Sequence, residues 1–385
     1  MENSNNSNEP VVYRGLEGIL AAETKIGFVD GQEGRLSYRG YDINTLAEQS
    51  NYEEVSYLLI YGHLPNEKEY KEYVEKLRNE SDLPDELYEI IKKQAGRTHP
   101  MTSLRTAISY LATFDKKESE SDFASQEEMA IKIIAKMPTI VGAIHRVYTG
   151  QEIVKPDKNL SYAANFFYMS LGRKPDPMES KMMDTALIIH ADHGMNASTF
   201  SALVTISTMA DMYSAITSAV STLKGPLHGG ANERALKLIQ TVGTPENAEK
   251  VLSEMIERKE KIMGFGHRVY KVYDPRAKIL KQYAQYITER NNKNLYLTAN
   301  KIEELMINRF GSKGIFPNVD FYSGMVYSAL GFKTEIFTPI FAVGRISGWV
   351  ARSLEYIQDN KLFRPKAKYV GEKGPLKYKP MNERE

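Results

Sequence analysis

Gly225-Pro226-Leu227-His228-Gly229-Gly230, running straight into the helical stretch Ala231–Ile239, is the segment on which the reading of this 385-residue chain turns. Gly225 and Pro226 set a turn, while Gly229 and Gly230 allow close approach of backbone or ligand. A histidine in such a loop packs against no regular element, so its presence points to chemistry. His228 also lies just ahead of a helix N-terminus. The dipole there disfavours an imidazolium and favours a neutral ring that donates a hydrogen bond. Gly264-Phe265-Gly266-His267-Arg268 repeats the arrangement, and two such histidines in one chain are hard to explain as packing.

Outward from these loops the signals are helical. Apolar periodicity predicts amphipathic helices over Ile43–Tyr61, Glu67–Glu80 and Asp85–Gln94. Ser125-Gln126-Glu127-Glu128 fits a capping box opening a helix that Pro138 should kink or interrupt before Val147. Asp176-Pro177 and Asp274-Pro275 pair an N-cap with a first-turn proline and start helices near Met178–Ala191 and Arg276–Glu289. Thr24–Val29 and Arg35–Tyr38, joined across Asp30-Gly31, read as a small hairpin. With no long series of alternating strands, the fold class is mainly α. Hinges at 224–226 and near Ser323-Gly324 enclose a second domain.

Composition narrows the partners. With 50 Lys+Arg against 49 Asp+Glu there is no global pull toward nucleic acid or acidic membranes. The absence of cysteine excludes disulfides, thiolate nucleophiles and zinc–thiolate sites. The polar lead-in Met1–Asn8 lacks the basic-then-apolar pattern of a signal peptide, and the expected compartment is the cytoplasm. Phe200–Leu223 has membrane length but carries Asp211. It reads as a buried helix, possible at a subunit interface, rather than a span.

Seven histidines are available for chemistry. His63, His99 and His145 have no clustered partner and read as structural or surface residues. His190 and His193, one helical turn apart, read as a metal pair, an anion contact or a capped helix end. No third ligand stands at a recognisable spacing, so no metal is expected. Arg276 falls in a helix first turn, where cations are disfavoured, so it needs an anionic partner. Arg345 lies in the apolar run Ile340–Val350 and must likewise be paired, by an internal salt bridge or a ligand. Arg364 reads by itself as a surface arginine. Together the arginines suit a ligand with more than one carboxylate. Asp320, between a Pro-Asn turn and apolar residues, is a helix cap or a partly desolvated base. Gly311-Ser312-Lys313-Gly314 is a phosphate-loop candidate or simply a loop.

These segments, taken in order, resemble the citrate synthase family. The matching stretches are His190–Phe200, Lys224–Glu233, Ile262–Tyr270 with Asp274–Arg276, and Pro317–Asp320. The resemblance runs from about Gly18 to Arg364, and it is closest to dimeric archaeal and Gram-positive-type enzymes, which lack the N-terminal extension of hexameric relatives. It implies a large helical, dimer-forming domain (residues 1–225 and 327–385) and a small domain (226–326) closing over a cleft. It further implies condensation of acetyl-CoA with oxaloacetate, then hydrolysis of citryl-CoA, with acetyl-CoA and CoA as co-substrate and product and no tightly bound cofactor.

By that resemblance Asp320 is the base, His228 the donor to the enolate oxygen and His267 the group polarising the oxaloacetate ketone. His193, Arg276, Arg345 and, from the other subunit, Arg364 contact oxaloacetate. Ile262, Met263, Gly264, Phe265 and Gly266 contact the CoA adenine, and Lys271 and Lys313 its phosphates. Three rivals remain at this point: 2-methylcitrate synthesis from propionyl-CoA, a catalytically lapsed CoA- or dicarboxylate-binding regulator, and a metal hydrolase built on His190, Asp192 and His193.

Overall fold

The computed structural model describes residues 11–384. They comprise sixteen α-helices, short 3-10 turns and one antiparallel three-stranded sheet of order β1-β2-β3, with β1 Gly27–Asp30, β2 Arg35–Tyr38 and β3 Tyr41–Asp42. The mainly α expectation therefore holds. Gly27 faces Tyr38 and Asp30 faces Arg35, so the hairpin is as read from sequence, with a third strand added. The chain forms two contact units. Of the described residues, one holds 11–23 and 362–384, largely extended; the other is Thr24–Lys361.

Within the larger unit, the helix Phe337–Gln358 is the central strut. It packs on helices Tyr52–Tyr61, Phe123–Tyr148, Pro177–His190, Ala197–Ile206 and Met212–Leu223, and it buries Trp349, Ile340, Val343 and Ile346 completely. A second cluster joins helices Ala231–Val242, Pro275–Asn291, Lys293–Phe310 and Val319–Leu330.

Local chemistry explains where the elements depart from expectation. The stretch 43–61 is two helices, Ile43–Gln49 and Tyr52–Tyr61, because the Asn51 side chain caps the second by accepting the Glu54 amide. The helix placed at Ser125 begins at Phe123, with Asp122 as its cap and Ser125 as its third residue. It runs unbroken to Tyr148 through Pro138. Proline has no N–H for the Ile134 carbonyl, but the Tyr162 hydroxyl donates to that oxygen at 2.9 Å, so the missing bond is replaced. The long apolar run is not one helix. Asp211 caps Met212–Leu223 after Ala197–Ile206 has ended, and the two helices pack against each other. Among the described residues no helix is long and apolar enough to cross a membrane.

Candidate active site

The Gly225–Gly230 turn links Met212–Leu223 to Ala231–Val242. It is closed by His228 N–H and Gly229 N–H donating to Gly225 O at 2.9 and 3.0 Å. Gly229 packs against the Leu223 carbonyl too closely for a side chain, and Gly230 takes φ +74° at the cap of the next helix. His228 thereby meets Ser198 at the N-terminal turn of Ala197–Ile206. The Ser198 amide lies 3.3 Å from its Nε2 and the hydroxyl 2.8 Å, that hydroxyl being shared with Asn196 Oδ1 and receiving the Trp349 indole N–H. An amide can donate only to an unprotonated Nε2, so the ring proton sits on Nδ1. Burial, then the Arg345 charge, lowers the His228 pKa to about 4. The ring is a neutral donor, as the sequence suggested.

His267 is fixed in the opposite tautomer. Its Nδ1 accepts the amides of Val269 at 3.0 Å and Tyr270 at 3.2 Å, which leaves the proton on Nε2. Burial and Arg276 hold its pKa near 4. Its ring lies edge-on to His193, with centroids 5.1 Å apart, and His193 Nε2 is 3.1 Å from the Tyr270 hydroxyl. Burial, Arg276 and His267 keep His193 neutral as well. The shared helical face expected for His190 and His193 does not exist. The helix ends at His190, whose Nδ1 is paired with Ala186 O, and His193 lies in the loop beyond. No group of three or more His, Asp or Glu among the described residues is placed to hold a metal.

The arginines divide. Arg276 is buried with an internal partner: Nε reaches Asp274 Oδ1 at 3.0 Å and Nη2 reaches Oδ2 at 2.8 Å. Arg345, only 1% exposed, has no ion-pair partner among the described residues. Its Nε donates to His190 O and its guanidinium lies over the Phe341 ring. Burial, partly offset by Asp192, lowers its pKa to about 10. A buried guanidinium with no carboxylate is costly unless a ligand supplies one. The fields of Arg276 and Arg345 both reach His193 and Asp320. Arg364 belongs to the other contact unit, where it is exposed.

Asp320 is the second residue of the helix Val319–Leu330, behind the cap Asn318, and burial pushes its pKa up to about 6. Position near a helix N-terminus should lower it, so desolvation wins. Segment 262–266 is laced to residues 316–318, the stretch just before Asp320. Gly266 N–H donates to Phe316 O, Asn318 N–H to Gly264 O, and Asn318 Nδ2 to Gly266 O, all at 2.9 Å. Gly264, at φ +84°, lies against Phe321 with no room for a Cβ. Lys271 and Lys313 are both exposed, and the Gly314 backbone after Lys313 lies against Lys271.

Sequence reasoning missed Asp274 as more than a cap: it also anchors Arg276 and accepts the Val319 amide at 3.2 Å. Its spacing in Asp274-Pro275-Arg276 was the available signal. It missed Arg352 and Asp192 as well, a fully buried bidentate pair at 2.7 and 2.8 Å that fixes the loop before His193. Ser198 gave no signal, because its partner lies 30 residues away.

A family model described as "Citrate synthase, C-terminal domain" matches residues 15–366. A citrate synthase of Deinococcus radiodurans is 46% identical, covering 94% of this chain and 96% of that protein. A citrate/2-methylcitrate synthase of Bacillus subtilis is 40% identical over 93% and 96%. Among solved structures, the citrate synthase of Thermoplasma acidophilum in ternary complex with carboxymethyl coenzyme A and oxaloacetate superposes with a TM-score of 0.92 at 37% identity, covering 97% of this chain and 100% of that one.

Proposed function

Since the chain belongs to the citrate synthase family, we propose that the residues around His228, His267 and Asp320 divide its reaction between them. The enzyme is a transferase that condenses acetyl-CoA with oxaloacetate and hydrolyses citryl-CoA to citrate and CoA. No tightly bound cofactor is required, since the chemistry is proton transfer and carbonyl addition.

A thioester methyl is a very weak carbon acid. Asp320, with its pKa raised toward neutrality, takes the proton only if the oxygen of the forming enolate is stabilised in the same step. His228 Nδ1–H supplies that donor, and because its partners hold Nε2 as an acceptor the ring stays neutral. His267 Nε2–H polarises the oxaloacetate ketone and delivers its proton as the enolate carbon attacks. Arg345, Arg276 and His193 receive the carboxylates, with Arg364 arriving from a second subunit of a homodimer. Ile262–Gly266 contact the adenine, and Lys271 and Lys313 the phosphates. Residues 226–326 act as a small domain closing on 1–225 and 327–385, so that water is kept from the thioester until condensation is done. The compartment is the cytoplasm.

The observation that carries this reading is the buried Arg345 guanidinium, without a carboxylate among the described residues, together with two neutral histidines whose free N–H groups are set by their partners. Release of CoA thiol in the presence of oxaloacetate tests it, comparing acetyl-CoA with propionyl-CoA by kcat/KM. The expected result is oxaloacetate-dependent release with acetyl-CoA preferred; no release from either thioester overturns the reading. The relative named for both citrate and 2-methylcitrate synthesis supports propionyl-CoA as a second substrate. One methylene in an apolar pocket is worth only about 1–3 kcal/mol.

A further inference from the structure

The turn between β1 and β2 lies against the loop that carries His267. Gly31 O accepts the Lys271 amide at 2.8 Å. A Cβ on Gly31 would stand 2.6 Å from the Val269 carbonyl carbon, overlap its oxygen and meet Val269 Cγ1 at 3.0 Å. Gly34, at φ +67°, faces the same loop, with the Val272 Cγ2 side-chain atom 2.8 Å and Tyr273 O 3.2 Å from where its Cβ would be. The turn is braced from within. Asp30 Oδ1 accepts the amides of Gln32 at 2.8 Å and Glu33 at 3.0 Å, and these bonds hold the Asp30 carboxyl below its ordinary pKa.

The Val269 and Tyr270 amides are the two groups that hold His267 Nδ1 as an acceptor. A continuous path therefore runs from Gly31 through the Val269 peptide to the tautomer of His267. We propose that the hairpin turn is a clamp for the His267 loop, with Gly31 as its positioning residue: the missing side chain at 31 sets where Val269 and Tyr270 present their amides. The proposal rests on the assignment of His267 to the ketone. A side chain at 31 meets backbone rather than a flexible side-chain end, so relief demands a shift on the order of 1 Å, enough to cost about 10–100-fold in turnover. The braced turn resists, and the loop yields.

The test compares Gly31→Ala with Gln32→Ala, an exposed neighbour in the same turn, and with His267→Gln. Turnover is measured together with the ¹⁵N spectrum of labelled histidine, which distinguishes a ring protonated on Nε2 from a mixture of tautomers. The expected outcome has three parts. Gly31→Ala stays folded, loses about 10–100-fold in kcat, and moves the His267 signal toward mixed tautomers; Gln32→Ala matches the parent; His267→Gln is inactive. A folded Gly31→Ala with the parent tautomer overturns the clamp, whatever its turnover. An active His267→Gln overturns the ketone assignment alone, since the spectrum still reads the clamp. Should Gly31→Ala fail to fold, Asp30→Ala replaces it, removing the brace from the turn without adding bulk. There the slackened turn shifts the His267 signal toward mixed tautomers, and an unmoved signal overturns the proposal.

Discussion

Asp274 holds Arg276 with both carboxylate oxygens, at 3.0 and 2.8 Å, and spends a further bond on the Val319 amide one residue before Asp320. One buried acid thus orients a guanidinium expected to meet oxaloacetate and steadies the loop of the expected base.

Asp274→Asn is predicted to weaken both. The buried Arg276 loses its charge partner, and breaking such a pair costs about 3–5 kcal/mol. KM for oxaloacetate should rise and thermal stability should fall. Denaturant unfolding and steady-state kinetics check this; a variant with parent stability and parent KM would show that the pair is dispensable.

The pH dependence follows from Asp320. As a base it must be ionised, so kcat/KM should fall as pH drops through about 6. The stability effect has the opposite sense. A carboxyl whose pKa is raised in the folded state binds more protons there than in the unfolded chain, so its penalty is absent below the ordinary carboxylate range, grows as pH rises and is complete above about 6. Asp320→Asn should therefore abolish condensation yet stabilise the fold at neutral pH by up to about 3 kcal/mol, a gain that largely disappears near pH 4. Melting curves at several pH values read this directly.

Arg345→Met replaces a buried cation that has no ion-pair partner among the described residues with an apolar side chain of comparable length. The free enzyme should be as stable as the parent or more so, while oxaloacetate should no longer raise its melting temperature and KM should rise about 100-fold. A thermal-shift titration decides it: an undiminished shift would remove Arg345 from the carboxylate site.

Ser198→Ala removes the hydroxyl from His228 Nε2 but keeps the amide. The ring is then held by one bond instead of two, and kcat should fall about tenfold with KM for oxaloacetate little changed. A change in KM alone would place Ser198 at oxaloacetate instead.

The loops that could be read in the sequence were those whose local chemistry is self-contained. Glycines around His228 and His267, proline after Asp176 and Asp274, and the Asp30-Gly31 turn all name their conformation within a few residues. What stayed hidden depends on distant partners. Pro138 does not break its helix because Tyr162, remote in sequence, caps the stranded carbonyl. Arg276 looked like a residue awaiting a ligand, and its partner was two residues back, visible only once the helix start folded Asp274 toward it. Arg352 and Asp192 meet across 160 residues and carry no local signature. Arg345 was left between a salt bridge and a ligand; among the described residues it has no salt bridge.

The lacing of segment 262–266 to 316–318 joins two tasks in one piece of backbone. If the first segment grips the nucleotide end of the thioester, any substitution that reshapes that grip also tugs on the turn presenting the base. Recognition and reactivity are then not separately adjustable. A designer seeking a new acyl carrier would have to rebuild both stretches at once, and drift at either would be felt by the other.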